Sequence, residues 1–328
     1  MSVNTYLTSI ARLIKARTLS RSLLDELLGS PTWKESADIL KERGIIPEVG
    51  QTIEETESIV KRHYTSLARQ VREFTLSSNV GKRIADLYYY RLTVDDLKYL
   101  VAMAQNKLKP ERKMVKSEDE ILSSAADSSP GSIEELLPLL RGTVYGEALE
   151  YALRIGQKEL SAINSTLDFF FIDRISSLVN EMRGDWKSKA DQLLCGYKDY
   201  YGLSAAATQH TLLSDAVCCK VTNEMLKDLA GSATFRDAAE TLRRTEYGKG
   251  LGDAGLADIL EAIERQAKVQ ARKAAKAIFM GDPFTPLSVM AALELLYLDE
   301  SDIVKLINAQ ALRTPVARIK EILSFEFV

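Results

Sequence analysis

An all-α fold built from three related helical units is what this sequence predicts, and three observations predict it. Apolar residues recur at spacings of three and four through almost every long segment, while alternating β-branched runs are few. Only eight prolines and seventeen glycines punctuate 328 residues, so helix breakers are sparse. Two separate blocks each occur three times at nearly the same offset, which marks a supersecondary unit that has been copied and packed against itself.

The first helix is expected near the start of the chain, where Tyr6, Leu7, Ile10, Leu13 and Ile14 form one apolar stripe. A later helix carries Ile59, Tyr64, Leu67, Val71 and Phe74 behind a Thr52/Glu55 capping box. Both helices need partners along one face.

The first repeated block reads SPTWKESADILKERGI from Ser30, PGSIEELLPLLRGTVYGEAL from Pro130 and SATFRDAAETLRRTEYGKGL from Ser232. In register, Thr32, Ser132 and Thr234 are N-cap candidates, with Glu35, Glu135 and Asp237 three residues on, where a carboxylate can reach back to the cap. Trp33, Ile133 and Phe235 then open the helix, Leu40, Leu140 and Leu242 anchor it, and Lys41, Arg141 and Arg243 place a cation near its C-terminal end. The last two copies continue alike, through Tyr145-Gly146 and Tyr247-Gly248.

The second block centres on three evenly spaced aspartates, Asp96, Asp199 and Asp302. Leu97, Tyr200 and Ile303 follow them, then Leu100, Leu203 and Leu306, an apolar pair on one helix face. Together the blocks define units of about a hundred residues, far longer than the common helical solenoid repeats. The expected division is 1–115, 116–220 and 221–328, with soft boundaries in KPERKMVKSEDE (Lys109 to Glu120) and near Ala230 to Thr234, and with boundary helices exchanged between neighbours.

Composition narrows the function. A net charge of −3 gives no broad electrostatic reason to bind nucleic acid. Three cysteines, Cys195, Cys218 and Cys219, lack the spacing of a disulfide framework or a zinc knuckle, which fits a reducing cytoplasm. The N-terminal segment is amphipathic, and no run of eighteen apolar residues occurs, so neither a secretory signal nor a membrane span is expected.

These units, each ending in an acidic residue followed by an aliphatic pair at i and i+3, resemble the family of C-type subunits of archaeal and bacterial A/V-type ATPases, whose eukaryotic counterparts are the d-type subunits of V-type ATPases. The C-terminal DPFTPLSVMAALELLYLDESDIVKLINAQALRTPVARIKEIL (Asp282 to Leu323) is similar to that family's closing segment, and Tyr6 to Leu40 to its opening. The family often has Asn where Asp96 and Asp302 stand here. The resemblance implies three pseudo-threefold-related units arranged as a funnel. It implies a non-catalytic central-stalk subunit, peripheral to the cytoplasmic face of the membrane, that couples the shaft subunits to the proteolipid rotor ring and transmits torque for proton or sodium transport. It implies no cofactor, no metal and no small-molecule substrate. The alternative is a cytosolic helical-repeat scaffold that binds a protein or peptide.

Candidate partner contacts are the repeat positions Asp96, Leu97, Asp199, Tyr200, Asp302 and Ile303. To these is added the basic stripe Arg265, Lys268, Arg272 and Lys276, which runs at intervals of three and four along one helix. A solvated outer face and a contact with a partner or a headgroup both explain that stripe.

Other signals carry ordinary explanations. GLGDAG (Gly250 to Gly255) satisfies a dinucleotide fingerprint, but no strand is expected before it and no acid follows about twenty residues on, so a turn between helices is expected. Gly81-Lys82 and Gly248-Lys249 lack the Ser or Thr of a phosphate loop. His63 and His210 stand apart from any second ligand at helical spacing. Asp95-Asp96 and Glu134-Glu135 are expected as first-turn acids of helices. The runs Leu87 to Leu92 and Leu167 to Asp173 hold three adjacent rings each, of which one is expected to meet another unit or protein.

Overall fold

The computed structural model describes residues 3–75, 79–155, 159–182, 184–213, 220–280 and 285–327. Among them every regular element is helical. After α1 (Val3–Lys15), the first copy is a short pair, α2 (Arg21–Gly29) and α3 (Trp33–Glu42), followed by two long helices, α4 (Ile53–Phe74) and α5 (Asn79–Gln105). The second copy repeats this order as α6 (Glu120–Asp127), α7 (Ile133–Leu140), α8 (Val144–Arg154), α9 (Leu160–Asn180) and α10 (Asp185–Gln209), with α8 as an added helix. The third is α11 (Asn223–Ala230), α12 (Phe235–Arg243), α13 (Leu256–Met280) and α14 (Leu287–Ala311), and α15 (Val316–Ile322) closes the chain.

The caps that start these helices are those the repeats encode. Thr32, Ser132 and Thr234 accept the N–H of Glu35, Glu135 and Asp237 at 3.2–3.3 Å. Of these three acids, Asp237 returns the bond to its own cap. Glu55 and Glu135 reach one residue further back, accepting the N–H of Gln51 and Gly131 at 2.7 Å. Each such cap is worth about 1 kcal/mol. Trp33, Ile133 and Phe235 open their helices as expected, and Leu40, Leu140 and Leu242 are wholly buried beneath them.

The chain forms two compact units, one of Met1–Leu140 with Arg272–Val328 and the other of Arg141–Ala271. In the first, α14 is the central helix, packed on α1, α3, α4 and α5. It is buried almost all round, which fits a helix apolar on every side rather than along one stripe. Ile59, Tyr64, Leu67 and Val71 of α4 are buried as their spacing predicts, but Phe74 and Leu13 stand exposed. Phe74 closes α4, and Leu13 lies across α1 from the buried Ala11 and Ile14. The side chains of Tyr6 and Leu7 lie outside the described residues.

In the second unit α9 packs between α8 and α10, while α11 and α12 pack on α10 around Leu203, Ala206, Leu229 and Leu242. Gly196 brings the backbones of α10 and α13 together, for a Cβ there would sit 2.8 Å from Ala267 Cα. Phe169, Phe170 and Phe171 are all buried within the chain. Helices on two sides of α9 meet two of these rings, Phe170 on Tyr151 and Phe169 on Tyr201.

One packing rule recurs. The pair α6–α7 lies on α5, the closing helix of the copy before it; α11 and α12 lie on α10 in the same way; and α3 of the first pair lies on α14, the closing helix of the last copy.

Candidate functional site

The three repeat aspartates are internal, with 3%, 0% and 2% of their surface exposed at Asp96, Asp199 and Asp302. Each sits in the middle of a closing helix and accepts backbone N–H groups from the segment that follows it. Asp96 takes those of Lys116 and Ser117 at 3.1 and 2.8 Å, Asp199 that of Lys220 at 3.0 Å, and Asp302 that of Ser324 at 3.0 Å. Tyr247 donates its hydroxyl to Asp199 at 2.6 Å, and Ser324 donates its own to Asp302 at 2.6 Å. A buried carboxylate is tolerable only when bonded in this way, and the bonds tie a later segment of the chain back onto the closing helix. Burial raises the pKa of Asp96 even against the bonds from Ser117. The expectation that Asp95 and Asp96 begin a helix is corrected, because α5 runs unbroken from Asn79 and both are interior to it.

The basic stripe on α13 turns inward at Arg272. Its Nη1 lies 2.7 Å from Asp299 Oδ1 and its Nη2 3.1 Å from Asp302 Oδ2, while Nε donates to Ser324 Oγ at 2.7 Å. The guanidinium also covers the Phe325 ring at 4.1 Å. Asp299 further accepts the N–H of Leu19 at 2.7 Å, so this cluster ties the start of the first copy to the last. Burial raises the Asp299 pKa from 3.8 to about 6, although Arg272 and the Leu19 N–H pull it down. Lys276 is exposed, and desolvation and the Arg272 charge lower its pKa.

Two more buried cations meet α14. Arg91 pairs with Glu294 at 2.7 Å beneath Tyr88, whose hydroxyl donates to the same carboxylate at 2.8 Å. Lys61 lies 3.1 Å from Asp95 and 3.3 Å from Glu300; burial works to lower its pKa, but Glu300 and Asp95 outweigh that and raise it. Sequence reasoning missed this role. The signal was Glu294 and Asp299 standing among apolar residues in LSVMAALELLYLDE, where a carboxylate demands a partner.

The remaining candidate positions are placed as follows. Leu97 and Ile303 are core residues, Tyr200 is half-buried beside Glu264, and Lys268 is buried with its Nζ 2.5 Å from Glu264 Oε1. Arg265 is half-buried. GLGDAG is the turn between α12 and α13, where Gly250 and Gly252 take φ of +89° and +54°. Among the described residues no cluster of His, Cys, Asp or Glu could hold a metal. Cys195 is disulfide-bonded, which the cysteine spacing did not suggest; Cys218 and Cys219 lie outside the described residues. A groove of about 1230 Å³ in the first unit runs between Gly50, Glu54, Ser58 and Arg62 on one side and Arg112 and Lys116 on the other. It holds charges of both signs and no arrangement of nucleophile and base.

These observations describe a helical body braced by internal ion pairs. The family model described as ATP synthase (C/AC39) subunit matches residues 7–322, from within α1 to the end of α15. The chain belongs to the ATP synthase (C/AC39) subunit family. Among curated proteins no sequence matches it. As a C/AC39 subunit it is a component of a V/A-type rotary ATPase, and its partners are other subunits of that complex. No helix of the described C/AC39 chain is long and apolar enough to cross a membrane.

Proposed function

We propose that this C/AC39 subunit is the non-catalytic coupling of the central stalk, seated between the shaft subunits and the membrane rotor ring, on the cytoplasmic face, and carrying torque for proton or sodium transport. The family match over residues 7–322 carries the reading. The three copies are taken as units of 1–115, 116–220 and 221–328 set about a pseudo-threefold axis as a funnel. Burial withdraws Asp96, Leu97, Asp199, Asp302, Ile303, Lys268 and Arg272 from a partner surface, and Lys276, the exposed cation of the stripe, stays the proposed point of partner contact.

The internal design suits that task. A part that transmits torque must resist shear between its helices, and an ion pair with a fixed geometry resists sliding in a way that a purely apolar seam does not. Arg91, Lys61 and Arg272 each tie α14 to another helix by buried charge. Catalysis belongs to other subunits on this reading.

The test is reconstitution of the ATPase in vesicles with and without this chain. ATP hydrolysis by the catalytic head is expected to persist without it, while ATP-driven ion uptake is lost and returns when the chain is added back. Ion uptake that is unchanged by its omission contradicts the coupling role.

A further inference from the structure

The segment that follows α15 is gripped by cations from three helices. Arg272 and Lys276 of α13 cover the Phe325 ring at 4.1 and 4.9 Å, while Arg21 of α2 and Lys320 of α15 cover the Phe327 ring at 4.4 and 5.4 Å. Between the rings, the Glu326 carboxylate lies 2.8 Å from Lys273 Nζ, and Arg21 donates to the Glu326 carbonyl oxygen. All of these residues belong to the first unit. An aromatic, an acid and an aromatic thus lie on a face that matches them in turn, since ring faces and carboxylates are the groups to which ammonium and guanidinium ions are drawn.

The grip is uneven. Ser324 and Phe325 are buried, with Ser324 tied to Asp302 and Arg272. Beyond them, the pair of Lys273 and Glu326 leaves 63% and 58% of the two side chains exposed, and residues 326 and 327 lie outside any helix. Exposed ion pairs and exposed cation–ring contacts are each weak, so the outer half of the segment releases far more readily than its Ser324 anchor. Its release uncovers crowded cations. Desolvation, and after it the charges of Arg272, Lys15 and Arg21, already lower the Lys276 pKa against the pull of Asp299. A face so charged draws another anion in place of the one that left.

We infer that this face, formed by Arg21, Lys273, Lys276 and Lys320, docks an acidic peptide segment with flanking aromatic residues on a partner protein, and that Glu326 and Phe327 occupy it as a built-in competitor. The segment already seated there argues for the occupant, because a face selects from a partner the chemistry it holds within its own chain. Positive charge here is local, for the chain as a whole is net negative. The inference rests on the reading of Lys276 as a partner contact and is independent of which ATPase subunit supplies the segment. The partner binds only while the competitor is away, so its apparent affinity is reduced by the fraction of time the face is open.

The test uses the full chain and a labelled peptide of sequence GEFEFG, followed by fluorescence anisotropy at low salt, with phosphatidylglycerol vesicles alongside. E326K/F327S alters two surface positions, and it is expected to melt as the parent does and to bind the peptide roughly tenfold more tightly. E326Q/F327A, which adds no charge, is expected to move the same way by a smaller factor. Adding K273E/K320E to either variant is expected to return binding to the parent's level or below, and a GKFKFG peptide is expected not to bind. Equal affinity of parent and variants for GEFEFG overturns the competitor, and absence of binding by both open variants overturns the docking face. Tighter binding of the open variants to vesicles than to peptide makes lipid the partner and overturns the inference as well. A parent that is dimeric by light scattering while E326K/F327S is monomeric makes a second copy the occupant, with the same consequence. Each of these failures leaves the coupling role standing, since ion uptake in reconstituted vesicles reads that role separately.

Discussion

The guanidinium of Arg91 meets the carboxylate of Glu294 at 2.7 Å, with 3% and 0% of the two side chains exposed, and so joins the closing helix of the first copy to that of the third. Removing one partner strands the other in a buried site. E294A is therefore expected to lower stability by about 3–5 kcal/mol. R91M/E294M is expected to recover part of that loss, since both charges go together, although the Tyr88 hydroxyl loses its acceptor. Denaturant melts of the three proteins check this, and a double variant as unstable as E294A contradicts it.

Asp299 makes stability depend on pH. Burial lifts its carboxyl to about 6 in the fold against an ordinary value of 3.8, so between those values the folded state binds more protons than the unfolded one. Stability from this residue is greatest below about pH 4 and falls as pH rises to about 6, by on the order of 3 kcal/mol at most. Unfolding free energies of the parent and D299N, compared from about pH 4 to about pH 7, should diverge with that sign. Parallel curves contradict it.

Tyr247 bonds Asp199 at 2.6 Å and thereby pins the turn after α12 to α10. Y247F keeps the ring and removes only that donor to a buried carboxylate, which retains the Lys220 N–H. The expected cost is about 1.5–3 kcal/mol, measured by thermal denaturation. A variant as stable as the parent would mean that the bond carries no net energy.

Gly196 faces Ala267 across two helices whose backbones touch. G196A must push them apart, and a loss of about 1–3 kcal/mol is expected, with faster amide exchange along α10 and α13. Unaltered exchange there contradicts the close packing.

Much of this architecture was legible in the sequence because local chemistry wrote it. Thr32, Ser132 and Thr234 announced their helices through short-range capping, and the period-three-and-four stripes on α4 announced its buried face. The role of Asp96, Asp199 and Asp302 was not legible, since a polar residue on a helix face looks alike whether water or a distant N–H completes it. Arg272 sat in a run of cations that read as one stripe, yet partners on α14 and at Ser324 drew it inward. Lys107, His210 and Arg313 take a left-handed backbone that no glycine announces in the sequence.

The central claim is that this C/AC39 chain links the stalk to the ring. Affinity isolation of the tagged chain from gently solubilised membranes of its source cell, with bound proteins identified by mass, tests it most directly. The account predicts that rotor-ring and shaft subunits co-isolate together in stable proportion. Soluble proteins in their place, with neither ring nor shaft subunits present, would contradict it.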